Sequence, residues 1–228
     1  MKKGHLTLVP TPISELGEIT EETKNLLTKA YKSGDIICVE DLKPARRRWR
    51  SWGLDREAIE HFVCFNEHTA SELEMDLINK MNKGANVYLM SDGGMPAFCD
   101  PGQGLVDLCH KNLIELRSTQ SDNSVVLSLA LSGYEHNQFF FAGFPPKEKS
   151  LRSSFFMELL QSQCTVIMMD TPYRLERVLQ EICDINPDRE LCLCLNLCSR
   201  NQNISRAKAS QLLKNFAGLK ENFVLVIK

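Results

Sequence analysis

The densest run of constrained residues in the chain is Ser91-Asp92-Gly93-Gly94-Met95-Pro96, which continues through Ala97, Phe98 and Cys99 to Asp100-Pro101-Gly102. It directly follows an apolar stretch ending at Met90, and open α/β sheets bind ligands beyond the carboxyl ends of their strands. Paired glycines let backbone amides approach a ligand where a Cβ would collide, so Asp92, Gly93, Gly94, Met95 and Pro96 form a candidate cofactor loop. Asp100-Pro101 reads equally as a helix start, with Asp as N-cap and Pro at the first helical position. Glu40-Asp41 closes a second apolar stretch, where a carboxylate could act as a base or orient a substrate. The same pair could instead cap the helix that follows. His68 is a further titratable candidate, although an isolated His is commonly structural.

The sharpest local charge feature is Lys43-Pro44-Ala45-Arg46-Arg47-Arg48-Trp49-Arg50-Ser51-Trp52. It offers phosphate contacts from Arg46, Arg47 and Arg48 with aromatic faces nearby, as RNA recognition uses. The competing reading is a solvated basic helix whose Trp49 and Trp52 pack on the core. Thr11-Pro12 and Thr171-Pro172 close two more apolar runs, as stiff cleft walls or as turns. Cys192, Cys194 and Cys198, with Cys183 upstream, lack the paired spacing of a structural zinc site and read as core thiols, so no metal is expected. No phosphate-binding P-loop and no early dinucleotide fingerprint occurs.

These residues need a scaffold. The chain has 228 residues, 43% hydrophobic and 25% charged, which excludes disordered and low-complexity classes. Lys plus Arg number 27 against 29 Asp plus Glu, so bulk charge does not attract nucleic acid and an RNA partner must meet a local patch. Nine cysteines and a start without an apolar leader point to a reducing cytoplasm, and no apolar run is long enough to span a membrane. Short apolar runs alternate with amphipathic stretches, the pattern of a parallel sheet with covering helices. Strands are expected at Leu6–Val9, Asp35–Val39, His61–Phe65, Asn86–Met90, Leu113–Leu116 and Gln138–Ala142. A helix is expected from Thr20 to Ser33, ended by Gly34. Gly143 to Ser150 combines glycine, a proline pair and charge, which makes it the expected linker between an N-terminal α/β domain at 1–145 and a C-terminal one at 146–228. In the second domain strands are expected at 164–169, 190–195 and 222–227, with a helix near 206–216.

Taken in order, these loops resemble the tetrapyrrole methylase superfamily, and within it the small-subunit rRNA cytidine 2′-O-ribose methyltransferases. The resemblance rests on Leu8-Val9-Pro10-Thr11-Pro12-Ile13, Glu40-Asp41, Glu67-His68, Ser91 to Pro96 with Asp100-Pro101-Gly102, Phe139 to Pro145, Thr171-Pro172-Tyr173-Arg174 and Phe223 to Val226. It implies two α/β domains with S-adenosylmethionine in the cleft between them, a homodimer, and ribosomal RNA as substrate. It also implies a donor site lined by Pro12, Asp92 to Pro96, Ser121, Ser124, Thr171, Leu195 and Asn196. Methylation of a ribose hydroxyl would need a base, for which Glu40 and Asp41 are the candidates, with Arg46, Arg47, Arg48 and His68 on the substrate.

The chain departs from that pattern in three places. Ser121-Asp122-Asn123-Ser124-Val125 stands where a Pro-Gly-Pro-Ser-Ala turn is common, Asn196-Leu197-Cys198-Ser199 replaces Glu-Leu-Thr-Lys, and the small C-terminal extension is missing. Two alternatives stay open: a methyltransferase for a tetrapyrrole or other small molecule, and a catalytically silent relative that binds the donor or RNA.

Overall fold

The computed structural model describes residues 2–228 and divides into two compact units, one ending at Asp122 and the other beginning at Asn123. In the first, strands β1 (His5–Val9), β2 (Ile36–Val39), β3 (Val63–Cys64), β4 (Val87–Met90) and β5 (Glu115–Ser118) form a parallel sheet in the order β3-β2-β4-β1-β5. Helices α1 (Glu21–Lys32), α2 (Leu42–Ser51), α3 (Ala70–Asn82) and α4 (Gln103–Lys111) connect them. Alternation along the strands sorts the apolar side chains. Val9, Ile37, Val39 and Met90 pack with α1 and α2, while Leu6, Cys38, Val87 and Leu89 pack with α3 and α4. Helix α1 starts where the sequence suggests: the Thr20 hydroxyl accepts a hydrogen bond from the Thr23 amide, and Gly34 takes the left-handed turn just beyond its end at φ +71°.

The strand order fixes where a ligand can sit. The chain leaves β1 toward β2 on one side of the sheet and leaves β4 toward β5 on the other, so the loops after the neighbouring strands β1 and β4 diverge and open a crevice. The same order sets the end of β2 beside that of β4, and the end of β3 beside that of β2.

The second unit contains α5 (Ser124–Ser132), β6 (Phe139–Gly143), α6 (Lys149–Leu160), β7 (Thr165–Asp170), α7 (Leu175–Ile185), β8 (Glu190–Leu195), β9 (Asn203–Lys208), α8 (Ala209–Phe216) and β10 (Phe223–Ile227). Its sheet runs β6-β7-β10-β8-β9. Only β6 and β7 are parallel there; the other pairs are antiparallel, against the expectation of parallel order throughout. The division also lies more than twenty residues before the expected linker. The reason is pairing: β6 bonds to β7 and so belongs to the second sheet, and Gly143 to Ser150 is a strand-to-helix connection inside that unit. The expected helix near 206–216 proves to be the end of β9 followed by α8. Cys192 and Cys194 are fully buried on β8, and Cys183 is half-buried against the second core. Among the described residues no helix is long and apolar enough to cross a membrane.

Candidate active site

The crevice predicted by strand order is closed by a single rung. The Thr11 amide donates to the Gly94 carbonyl at 2.9 Å and the Gly94 amide to the Thr11 carbonyl at 3.0 Å. The Thr11 hydroxyl donates to the Ser91 carbonyl (3.2 Å) and the Ser91 hydroxyl to the Gly94 carbonyl (2.8 Å). Gly94 sits at φ +91°, which a Cβ would strain, and the space where that Cβ would project is open. The loop is therefore held by its own backbone while a bare face is left for a ligand. Pro12 and Ser121 line a small pocket of about 220 Å³ beside Thr11, so the structure brings these two donor candidates together.

Next to the loop lies a larger cavity of about 810 Å³ at the ends of β2, β3 and β4. Glu40, Asp41, His68 and Asp92, all singled out in the sequence, share its wall with Glu67 and Asp100. Their bonding separates their roles. Glu40 Oε2 accepts from the Asp92 amide at 3.1 Å, and Asp92 Oδ1 accepts from the Asp41 amide at 3.3 Å, which ties the end of β2 to the glycine loop. Asp41 Oδ1 accepts from the Lys43 amide at 2.8 Å, so this carboxylate caps α2. His68 is exposed, with Nε2 3.5 Å from Glu67.

Burial first, and the Glu40 charge second, push Asp92 up to about 6; the hydrogen bond from the Asp41 amide and the charge of Arg48 pull the other way. Asp100 is pushed up to about 7 by burial and then by the charges of Glu40 and Asp92. The sequence suggested Asp100 as the N-cap of the next helix. Instead Gly102, at φ +128°, takes the cap position of α4, and no group among the described residues hydrogen-bonds the Asp100 carboxylate.

The basic helix α2 corrects another expectation. Arg46 and Arg47 are exposed, with Arg47 bonded to Glu15 at 2.8 Å, but Arg48 is only 5% exposed. Its Nη1 donates to the Ser14 carbonyl at 3.2 Å, its Nη2 lies under Gly93, and burial lowers its pKa. Arg48 thus packs beneath the glycine loop, and its buried guanidinium is not available at the surface as Arg46 and Arg47 are. Trp49 and Trp52 are buried and donate their indole N–H groups to the Asp55 and Gly17 carbonyls, so their faces are core surface.

In the second unit, Phe223 pairs with Asp170 on one side and Leu195 on the other, which brings the strand ends carrying Thr171 and Asn196 close together. Leu195 is buried in the core and can offer only its backbone. Asn196, at φ +48°, donates from Nδ2 to Glu221 at 2.9 Å. Ser124 donates to the Met169 sulfur at 3.9 Å. Sequence reasoning missed the group that holds Thr171. Asp170 Oδ1 accepts from the Thr171 amide at 2.8 Å and from Arg174 at 3.2 Å, and Asp170 Oδ2 accepts from the buried Arg152 at 3.1 Å.

No family model matches the chain. It is 27% identical over 213 residues to the ribosomal RNA small subunit methyltransferase I of Thermotoga maritima, covering 93% of this chain and 92% of the relative. It is 29% identical to the protein of the same name from Mesomycoplasma conjunctivae, covering 98% and 90%. Among solved structures it is similar to the uroporphyrin-III C-methyltransferase of Thermus thermophilus in complex with S-adenosylhomocysteine, at TM-score 0.58 and 12% identity over 98% of this chain and 97% of that one. It is also similar to a diphthine synthase, at TM-score 0.66 and 10% identity over 98% and 89%. The structural likeness establishes the fold.

Proposed function

We propose, on the premise of a tetrapyrrole methylase fold and of kinship to small-subunit rRNA methyltransferases, that this chain is an S-adenosylmethionine-dependent methyltransferase that modifies a ribose 2′-hydroxyl of ribosomal RNA. The observation that carries the reading is a likeness that covers 93% and 98% of this chain and 92% and 90% of the two relatives. The residues fit the donor. A bare glycine face, a loop pinned by its own amides and the Pro12–Ser121 pocket favour a ligand held mainly through backbone. When bound, S-adenosylmethionine supplies an electrophilic methyl group, and acceleration then rests on aligning the acceptor with it.

In this reading Glu40 and Asp92 tie the acceptor cavity to the donor loop, and Asp41 fixes the start of α2. The exposed Arg46 and Arg47 on that helix, with His68 at the cavity rim, contact the RNA backbone. Ser121 adds to the donor contacts of the first unit, and Ser124, Thr171 and the backbone at Leu195-Asn196 are the donor-binding candidates of the second. The cavity wall is rich in carboxylates, groups that can orient or deprotonate a ribose hydroxyl. Phe139 and Phe140 on the edge strand β6, with Phe144 just after it, expose apolar surface that a second copy of the chain would cover, so the working form is a homodimer. The compartment is the cytoplasm, where ribosomal RNA is met.

The test is mass spectrometry of small-subunit rRNA from cells with and without the gene. One ribose methylation should vanish on deletion and return when the purified chain is added with S-adenosylmethionine. An unchanged ribose profile sinks the acceptor assignment. No donor binding by calorimetry at millimolar concentration sinks the enzyme. Arg46→Ala with Arg47→Ala should lower the salt slope of RNA binding by about one per arginine.

A further inference from the structure

Four carboxylates around the acceptor cavity, Asp41, Glu40, Asp92 and Asp100, could take a proton, and their bonding distinguishes them. Asp41 spends its carboxylate on the start of α2. Glu40 and Asp92 each accept a loop amide, so either one, once protonated, would loosen the tie between β2 and the donor loop. Asp100 lines the same cavity, caps no helix and accepts no hydrogen bond from any described residue. Its backbone is nonetheless well fixed. The Pro101 carbonyl next to it accepts from the Ala97 amide at 3.2 Å, and a Cβ on Gly102 would fall 2.6 Å from Leu89 Cδ2, so the Asp100 turn lies tight against β4.

We propose that Asp100 is the proton acceptor of the methyl transfer, and that Glu40 and Asp92 act on it as positioning residues through their charge. The proposal rests on the methyltransferase reading above. In the step, a lone pair of the ribose 2′-oxygen forms the new O–CH₃ bond as the donor's S–CH₃ bond breaks, with its electron pair left on sulfur. The hydroxyl proton passes to Asp100 Oδ and from there to water.

An ordinary carboxylate, half-protonated near pH 4, is a weak base toward a hydroxyl. Asp100 is raised to about 7, close to the pH at which a general base works best. Burial is the first cause and the charges of Glu40 and Asp92 the second; the groups that face it are these. Glu40 and Asp92 are carboxylates from the ends of β2 and β4, Glu67 and His68 follow β3, and Cys99 precedes it in its own loop. The positive charge of Arg48 acts on Asp92.

Two measurements test this on the full-length chain. Carbon-13 NMR of labelled aspartate in the protein alone should show one carboxyl, absent from Asp100→Asn, titrating near pH 7 and shifting down in Glu40→Gln. With donor and small-subunit rRNA, Asp100→Asn should lose about 10²- to 10⁴-fold in kcat. It should keep its donor Kd within about threefold and lose the limb of the pH profile near 7, whereas Asp100→Glu should restore part of the rate. A carboxyl titrating near pH 4, or an Asn variant within threefold of wild type in kcat, overturns the assignment of Asp100. A wild-type chain that binds donor but methylates no RNA overturns the reading beneath it, and the proposal with it.

Discussion

The two units bury carboxylates in opposite ways. In the second, Asp170 is completely enclosed and fully matched, with Arg152, Arg174 and the Thr171 amide around it. Arg152, 1% exposed, also donates to Glu181 at 2.7 Å and lies over the Phe156 ring. In the first unit, Asp92 and Asp100 are less buried but crowd with Glu40 around one cavity, with Arg48 as a weak counterweight. A matched buried charge holds a strand end still. A mismatched cluster costs stability and holds protons at neutral pH, as a site for proton transfer requires. The contrast marks the Asp170 network as scaffold and the Asp100 cluster as chemistry.

Breaking the matched side should have the largest effect. Arg152→Met leaves Asp170 Oδ2 and Glu181 without their buried guanidinium while Arg174 and the Thr171 amide still hold Asp170 Oδ1, and it should cost roughly 3 kcal/mol in urea unfolding; a loss under about 1 kcal/mol would mean that Asp170 does not depend on Arg152. Relieving the mismatched side should do the reverse. Unfolded aspartates titrate near 3.9, whereas Asp92 and Asp100 titrate at about 6 and about 7 in the folded chain. The folded chain therefore holds more protons across that window, and this contribution, fully present below about pH 4, is lost as pH rises through 6 and 7. Asp92→Asn with Asp100→Asn should stabilise the chain by about 2 kcal/mol at pH 8, after allowance for solvent screening, and by little at pH 4. Equal gains at both pH values would remove the electrostatic explanation.

Between these extremes stands Asp41, on the cavity wall but bonded. Asp41→Ala should cost about 1 kcal/mol through the lost cap of α2 and leave the titration of Asp100 near 7. The smallest effect belongs to the exposed rim of the matched network. Arg177 bonds Glu181 at 3.0 Å with nearly half of its side chain in solvent, and Arg177→Ala should cost roughly 0.3–0.5 kcal/mol, vanishing in high salt.

The contrast also shows what the sequence could reveal. The strand ends were legible because apolar runs followed by Thr-Pro, Glu-Asp or Gly-Gly are local signals, and Glu40, Asp41, His68 and Asp92 do meet in one cavity. Strand β9 was not. Asn203-Ile204-Ser205-Arg206-Ala207-Lys208 is an edge strand with mostly polar residues, and its pattern runs without a break into the amphipathic helix behind it. The unit boundary was hidden for a related reason. Which sheet β6 joins depends on its partner β7, whereas the crossing at Asp122–Asn123 contains neither glycine nor proline. The cap reading of Asp100 fails although Asp-Pro is a frequent helix start, because Gly102, at φ +128°, takes the cap position two residues on. Arg48 and Arg46 are indistinguishable by composition; helical phase alone buries one and exposes the other.

The rung between Thr11 and Gly94 also gives the molecule a built-in clock. The two amides sit in separate loops on adjacent strands, yet each is bonded to the other's carbonyl, so neither can exchange its hydrogen with solvent unless the rung opens for both. In deuterated water they should behave as a matched pair, slower than the loop residues around them. The free energy read from their exchange is that of lifting the glycine loop off β1, and a ligand held by that loop would slow both amides by the same factor.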